Sequence, residues 1–315
     1  MAAAPAAKAA FVFPGQGSQK VGMGRALRDA YPEARAVFEE VDAALGYALS
    51  RLCFDGPEAE LTLTANAQPA ILATSVAALR ALEARAPLRP IAVAGHSLGE
   101  YSALVAAGAL RLADAVRLVH LRGKFMQDAV PAGQGAMAAI IGLSADDVAA
   151  VCGEAAGGDV VSAANLNGGG QTVIAGHKAA VDRACAAAKA RGAKLVKLLA
   201  VSAPFHCALM QPAADRLAAE LARVEVKAPE VPVVSNVEAK PNQDAARVKQ
   251  LLAQQVTAPV RWEESVRCLA GLGVATVVEV GAGNVLSGLV RRIAPEMTAQ
   301  SAGDPESIEA LVAHA

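Results

Sequence analysis

Aromatic side chains are scarce in this chain: one tryptophan, three tyrosines and six phenylalanines, 3% of 315 residues. Its core must therefore be built from aliphatic side chains, and apolar residues at 54% supply enough of them. Charge of either sign is also nearly absent in sum. With a net charge of −1, nothing points to a nucleic-acid partner or a polybasic membrane anchor. No stretch reaches the roughly 18 uninterrupted apolar residues of a membrane span. The five cysteines, Cys53, Cys152, Cys185, Cys207 and Cys268, show neither CxxC spacing nor a Cys/His ligand cluster. They read as reduced core residues of a cytoplasmic protein, and no metal site is expected. Met1 to Ala10 is alanine-rich with a single lysine, Lys8, so it reads as a loose leader rather than a signal peptide.

What the chain does have is a strand–turn–helix signal. Ile91 to Ala94 is a short apolar run, Gly95-His96-Ser97-Leu98-Gly99 follows, and a helix-forming run extends from Glu100 to Ala109. In that context G-x-S-x-G is a nucleophile elbow. Gly95 and Gly99 remove the Cβ atoms that would collide where strand and helix approach, and Ser97 is left at a helix N-terminus, where negative charge is favoured. The competing reading is a Gly-flanked serine that only caps a helix.

A serine nucleophile needs a base. Of five histidines, His96 is expected to pack, His120 is mid-helix, His177 opens a helix and His314 is in the tail. His206, in the loop Val201 to His206 before a helix from Ala208 to Ala222, is the best candidate, against a packed loop histidine as the alternative. The carboxylates between Ser97 and His206, such as Asp146, Asp147 and Asp182, read as helix-face residues, so the acid of a hydrolase triad is missing. An amide or a main-chain carbonyl could orient the ring instead. Cys207 has no elbow context.

The remaining pattern alternates apolar strands with helices, which predicts a parallel sheet covered on both faces. Phe11–Phe13 is a strand that runs into the glycine loop Pro14 to Gln19, with a possible helix start at Ser18. Pro32 opens a helix with Ala36, Val37, Val41 and Leu45 on its apolar stripe, ended by Gly46. Gln68 to Arg85 is a buried helix. Leu112 to Ala129 is another, on which Arg117 is solvated by default. Residues 133–200 break the rhythm. Strands at Ala136–Ile141, Val160–Ala164, Thr172–Ala175 and Lys194–Leu199 enclose helices after Ser144 and from Lys178 to Ala190. That βαββαβ order predicts a small ferredoxin-like subdomain inserted between residues 1–132 and 201–315 of a larger α/β unit. Asn165 to Gly170 reads as a turn-rich loop. Gly281-Ala282-Gly283 reads as a turn rather than a phosphate site, and the tail after Pro295 gives no signal.

Five motifs in order carry a resemblance: Phe13 to Gln19 (FPGQGSQ), Gly95 to Leu104 (GHSLGEYSAL), Leu121 to Gln127 (LRGKFMQ), Pro204 to Met210 (PFHCALM) and Gln254 to Trp262 (QQVTAPVRW). From about Phe11 to Ile293 the chain resembles the malonyl-CoA:acyl-carrier-protein transacylases of type II fatty acid synthesis, acyltransferases with an α/β-hydrolase-like body. The resemblance implies Ser97 as nucleophile, His206 as base, and Gln255 orienting His206 through its main-chain carbonyl. It implies the N–H groups of Gln16 and Leu98 as oxyanion hole and Arg122 as the holder of the malonyl carboxylate. It implies ping-pong transfer of malonyl from malonyl-CoA to the phosphopantetheine thiol of acyl carrier protein, with coenzyme A as product. No cofactor is needed, no nucleic acid or membrane is involved, and the chain is expected to act as a monomer. Two positions depart from the bacterial pattern. Phe205 stands where serine is common, as in malonyl-selective polyketide acyltransferase domains. Asn165 to Gly170 lacks a frequent proline, so its asparagines receive no role. A serine thioesterase, an acyltransferase of polyketide synthesis or malonate decarboxylase, and a silent carrier-binding scaffold are the alternatives. Arg191, Lys194 and Lys197 are the expected basic rim for an acidic carrier.

Overall fold

The computed structural model describes residues 8–86, 88–201 and 203–313. Most of the leader, Ser202 in the loop before His206, and His314 lie outside the described residues. Ten strands run in chain order as β1 (Ala9–Phe13), β2 (Ala92–Gly95), β3 (Gly135–Ile141), β4 (Val161–Gly168), β5 (Gln171–His177), β6 (Leu195–Leu198), β7 (Val233–Val234), β8 (Pro241–Asn242), β9 (Thr276–Val280) and β10 (Thr298–Ala302). They form two sheets. The larger has the order β10-β9-β1-β2-β7-β8 and is parallel except for the last pair.

The alternation along its central strands sorts the core into two layers. Phe11, Phe13, Val93, Val278 and Val280 face the helices Pro32–Leu45, Thr64–Arg85 and Leu112–Asp128. Ala10, Val12, Ala92, Ala94 and Val277 face the helices Trp262–Gly271 and Val285–Ile293. Both faces are covered, as an apolar parallel sheet requires. Helix Thr64–Arg85 is buried nearly all round, and its many alanines let it lie close to its neighbours. Each Val or Leu that these layers hide contributes about 1.5–3 kcal/mol.

The smaller sheet is antiparallel, β4-β5-β3-β6, with helices Ala145–Ala156 and Lys178–Ala190 packed on one face. This is the expected ferredoxin-like arrangement. Main-chain bonds join it to the larger body: Leu166 N–H donates to Val260 O at 2.9 Å and Val260 N–H to Ala164 O at 2.8 Å.

Several local expectations change. No helix starts at Ser18, whose hydroxyl donates to Gly15 O at 2.9 Å; turns follow through Gly22 and Gly24, and the helix begins at Arg25. The helix from Pro32 buries Ala34, Val37, Phe38 and Val41, while Ala36 is exposed and Leu45 half-buried. Most of Asn165 to Gly170 is strand: β4 continues to Gly168 through a bulge because it pairs with β5, and only Gly169 and Gly170 turn. Ala208–Met210 is a 3₁₀ turn, and the α-helix proper is Gln211–Ala222. The tail is ordered as β10 against β9 and a helix, Pro305–Val312.

Candidate active site

The elbow is as tight as its glycines allow. A Cβ on Gly95 would lie 1.9 Å from the Gly99 carbonyl carbon, and one on Gly99 would lie 2.2 Å from Phe13 O. Strand β2, the end of β1 and the helix Gly99–Ala106 can meet here only without those atoms. The bend forces Ser97 to a φ of 53°, in the left-handed region that a non-glycine residue adopts only when its surroundings compel it. Both main-chain groups of Ser97 are held. Its N–H donates to Asn236 Oδ1 at 2.7 Å, and its carbonyl accepts from Gln255 Nε2 at 3.0 Å.

His206 comes from far along the chain and is also left-handed, with a φ of 59°. Its Nε2 lies 2.8 Å from Ser97 Oγ and its Nδ1 lies 2.8 Å from the Gln255 carbonyl oxygen. A carbonyl can only accept, so Nδ1 carries the ring proton and Nε2 is left to accept from the serine hydroxyl. Burial, then the nearby Arg122 cation, push the imidazole down to about 3, so it is neutral at ordinary pH.

Arg122 is 2% exposed. Its Nη1 donates to Gln68 Oε1 at 2.6 Å, and its Nη2 donates to Ser97 Oγ and Gln255 Oε1, both at 3.0 Å. All three acceptors are neutral, and its Nε has no partner among the described residues. A buried guanidinium without a paired carboxylate is costly. This one borders a cavity of about 360 Å³ that Gln16, Gln68, Ser97, Phe205 and His206 also line. Because Oγ accepts from Arg122, its own hydrogen is directed to His206. Gln16 and Leu98 border the same cavity, and neither of their main-chain N–H groups finds an acceptor among the described residues.

Five of the six sequence-predicted positions, Gln16, Ser97, Leu98, Arg122 and His206, therefore line one cleft, and the buried Gln255 sits behind it, bonded to Arg122 and His206. The remaining candidates fall elsewhere. His96 Nε2 pairs with Asn167 Oδ1 at 2.9 Å, and its ring lies 5.6 Å from that of Trp262. Arg117 is exposed and donates to Ala44 O at 2.8 Å. Cys207 Sγ donates to Pro204 O, with burial pushing the thiol up to about 11. Asp147 accepts from Ser144 and Asp182 pairs with Lys178 on helix surfaces. Three residues escaped the sequence reading: Gln68 in the cleft wall, and Asn236 and Glu100 beneath it. Asn236 follows a short strand and Gln68 sits in an alanine-rich helix, with no spacing to mark either. Glu100 had a signal, as a carboxylate in an otherwise apolar helix.

The family model described as "Acyl transferase domain" matches residues 10–306. The chain belongs to the acyl transferase domain family. Within it, the malonyl CoA-acyl carrier protein transacylase of Salmonella typhimurium is 53% identical over 303 residues, which cover 96% of this chain and 98% of that protein. The transacylase of the same name from Bacillus subtilis strain 168 is 48% identical over 306 residues, covering 97% and 96%. Among solved structures, the malonyl CoA-acyl carrier protein transacylase of Coxiella burnetii superimposes with a TM-score of 0.95 at 45% identity, over 98% of this chain and 97% of that one. A malonyl-transacylase in complex with a type II PKS acyl-carrier protein does so with a TM-score of 0.96 at 47% identity, over 98% and 100%. Like these acyl transferases, the chain carries a parallel sheet with a separate antiparallel one. Among its described residues no helix is long and apolar enough to cross a membrane, and no cluster of side chains is arranged to hold a metal ion.

Proposed function

We propose that this acyl transferase moves a malonyl group from malonyl-CoA to the phosphopantetheine thiol of an acyl carrier protein, through a malonyl ester on Ser97, in fatty acid synthesis. One observation carries the substrate assignment: Arg122, a buried cation with no carboxylate partner among the described residues, shares the Ser97 hydroxyl with His206. A guanidinium fork matches a carboxylate two atoms from the thioester, whereas an acetyl donor leaves the cation unpaired.

In this reading His206 takes the Ser97 proton through Nε2 as Oγ attacks the thioester carbon. The Gln255 carbonyl holds Nδ1–H and so replaces the triad acid. The Gln16 and Leu98 N–H groups receive the oxyanion, each lowering the barrier by about 3 kcal/mol. Coenzyme A leaves, taking a proton from His206, and the carrier thiol reverses the sequence. A carboxylate on Arg122 also offsets the positive charge that depresses His206, so substrate binding makes the base stronger when it is needed. The near-equal identity to named malonyl CoA-acyl carrier protein transacylases, and the carrier complex of a close structural neighbour, support the donor and acceptor.

Residues 133–200 are read as the small subdomain that covers the cleft, between 1–132 and 201–315. The chain is read as a monomer that needs no cofactor. The five free cysteines favour the cytoplasm. Intact-mass measurement tests the whole reading. Malonyl-CoA should add one malonyl group to the protein, Ser97→Ala should take up none, and holo carrier protein should remove it. Continued coenzyme A release without a carrier, beyond one equivalent per protein and at a rate equal to transfer, would instead make the protein a hydrolase.

A further inference from the structure

Glu100 is the third residue after the motif serine, and it points under the elbow rather than into solvent, at 3% exposure. Its Oε2 accepts from Gln255 Nε2 at 2.7 Å and from the Asn236 main-chain N–H at 3.1 Å. Neither partner is charged, and Glu100 makes no direct ion pair with Arg122 among the described residues; the Gln255 side chain lies between them.

That amide has two unlike ends with unlike duties. Nε2 donates to the Ser97 carbonyl, and Oε1 accepts from Arg122. A half-turn of the amide would set a donor against the guanidinium and an acceptor against the serine carbonyl, both repulsive. Arg122 and the Ser97 carbonyl already select this end, and Glu100 adds to them the shortest bond the amide makes, at 2.7 Å. An ionised carboxylate only accepts, and even when protonated one oxygen still can. Burial, against the two hydrogen bonds and Arg122, raises the Glu100 carboxyl to about 7. Asn236 completes the frame: its Oδ1 takes the Ser97 N–H and its Nδ2 donates to Gly95 O at 2.7 Å.

Resting on the malonyl-transfer reading above, we propose that Glu100 is a positioning residue: it fixes the Gln255 amide in one orientation, and so holds the strained Ser97 main chain and the Arg122 guanidinium at a set offset. Nucleophile and carboxylate anchor are then spaced for a three-carbon diacid by one buried acceptor. The property used is hydrogen-bond acceptance and not charge, since Gln at this position can offer its own carbonyl oxygen to both donors.

The test measures acylation of the full chain by malonyl-CoA and by acetyl-CoA, with kcat and KM separated. Glu100→Ala should raise the malonyl KM and reduce the malonyl-over-acetyl preference by about tenfold or more. Glu100→Gln should stay within about threefold of the parent on both measures. Gln255→Met, which leaves the main-chain carbonyl to His206 in place, should reproduce the loss of preference. The double variant Glu100→Ala/Gln255→Met should be no worse than the worse single one, as expected for two residues acting through one contact. A merely structural role predicts equal losses for both donors with KM unchanged, and that result overturns the proposal. If Glu100→Ala does not fold, Gln255→Met decides: an unchanged preference overturns it, and a lost preference supports it. Failure of the parent protein to accept malonyl at all would reject the functional reading and the proposal with it, an outcome distinct from variants that merely match a working parent.

Discussion

The molecule contains two strand–glycine–helix turns side by side, and they do different things. Strand β1 pairs with β2 on one side and β9 on the other. From β2 the chain turns through Gly95 to Gly99 into helix Gly99–Ala106; from β9 it turns through Gly281 to Gly283 into helix Val285–Ile293. Both helices begin at the same end of the sheet, where a parallel sheet places its ligands. At the second turn the N–H groups of the helix start are taken by a side chain. The buried Glu279 reaches from β9 and accepts from Leu286 N–H at 3.1 Å and Ser287 N–H at 2.7 Å. At the first turn the buried carboxylate, Glu100, is turned away under the elbow, and the N–H of Leu98, a residue lining the cleft, is left without an acceptor among the described residues. A glycine turn before a helix therefore does not make an anion site. What decides is whether the protein supplies its own anion to the helix end.

Removing the nucleophile gives the largest effect at the first turn. Ser97→Ala should cut transfer roughly 10⁴-fold or more, read as lost malonyl uptake by intact mass. Uptake at the parental rate would take Ser97 out of the site. Next, Arg122→Ala should lower malonyl transfer about 100-fold more than acetyl transfer, measured as the ratio of kcat/KM values. Equal losses would make the cation structural.

The second turn should respond in stability and not in chemistry. Glu279→Ala leaves two buried N–H groups unsatisfied and should cost about 2 kcal/mol in denaturant unfolding, with transfer per folded molecule unchanged. A loss of rate with no loss of stability would erase the contrast between the turns.

Acid sharpens the contrast further. Folded His206 resists protonation down to about pH 3, while the unfolded chain's imidazole titrates near 6.5. Below 6.5 the unfolded state therefore binds the extra proton, and stability falls as pH drops from there. Glu100 works the other way. Its folded carboxyl keeps its proton up to about pH 7 while the unfolded one ionises near 4.5, so its contribution is present below 4.5 and lost as pH rises through 7. Unfolding measured at pH 5 and pH 8 should show Glu100→Gln removing only the second slope, at most about 1.4 kcal/mol per pH unit. The kcat/KM profile should have no inflection at 6.5, since the base is already neutral there.

The smallest effect is expected at the basic rim. Lys194 and Lys197 are exposed, but Arg191 is already paired with Glu154. Reversing the two lysines should slow carrier association a few-fold in low salt, about threefold, and leave the rate with a small-molecule thiol acceptor unchanged.

Much of this was readable from the chain. The elbow needed only Gly95, Ser97 and Gly99 between an apolar run and a helix, because the collision their Cβ atoms would cause is local. The ferredoxin-like order was legible from alternating strand and helix signals between residues 133 and 200, although the strand ends shifted by several residues where pairing with β5 extended β4 past Asn165. The tail could have been read too: Asp304-Pro305-x-Ser307 is a capping pattern, and the structure shows that capping box formed. Placing Arg122 and Gln255 depended on the family resemblance, since nothing in a helix's own sequence separates a buried arginine from a solvated one such as Arg117.

The sequence alone determined what depends on neighbours in the chain: which segments become strands and helices, where glycine lets them touch, and which serine is strained. Tertiary structure decided what depends on distant partners. It brought Arg122 and His206 onto the Ser97 hydroxyl with Gln255 behind them, gave one buried glutamate to an amide and the other to a helix end, and left the buried Arg122 guanidinium without a counter-ion among the described residues. The physical reason is range. Backbone preference acts over a few residues, whereas desolvation and hydrogen-bond satisfaction are set by whatever atoms the fold packs within about 3 Å.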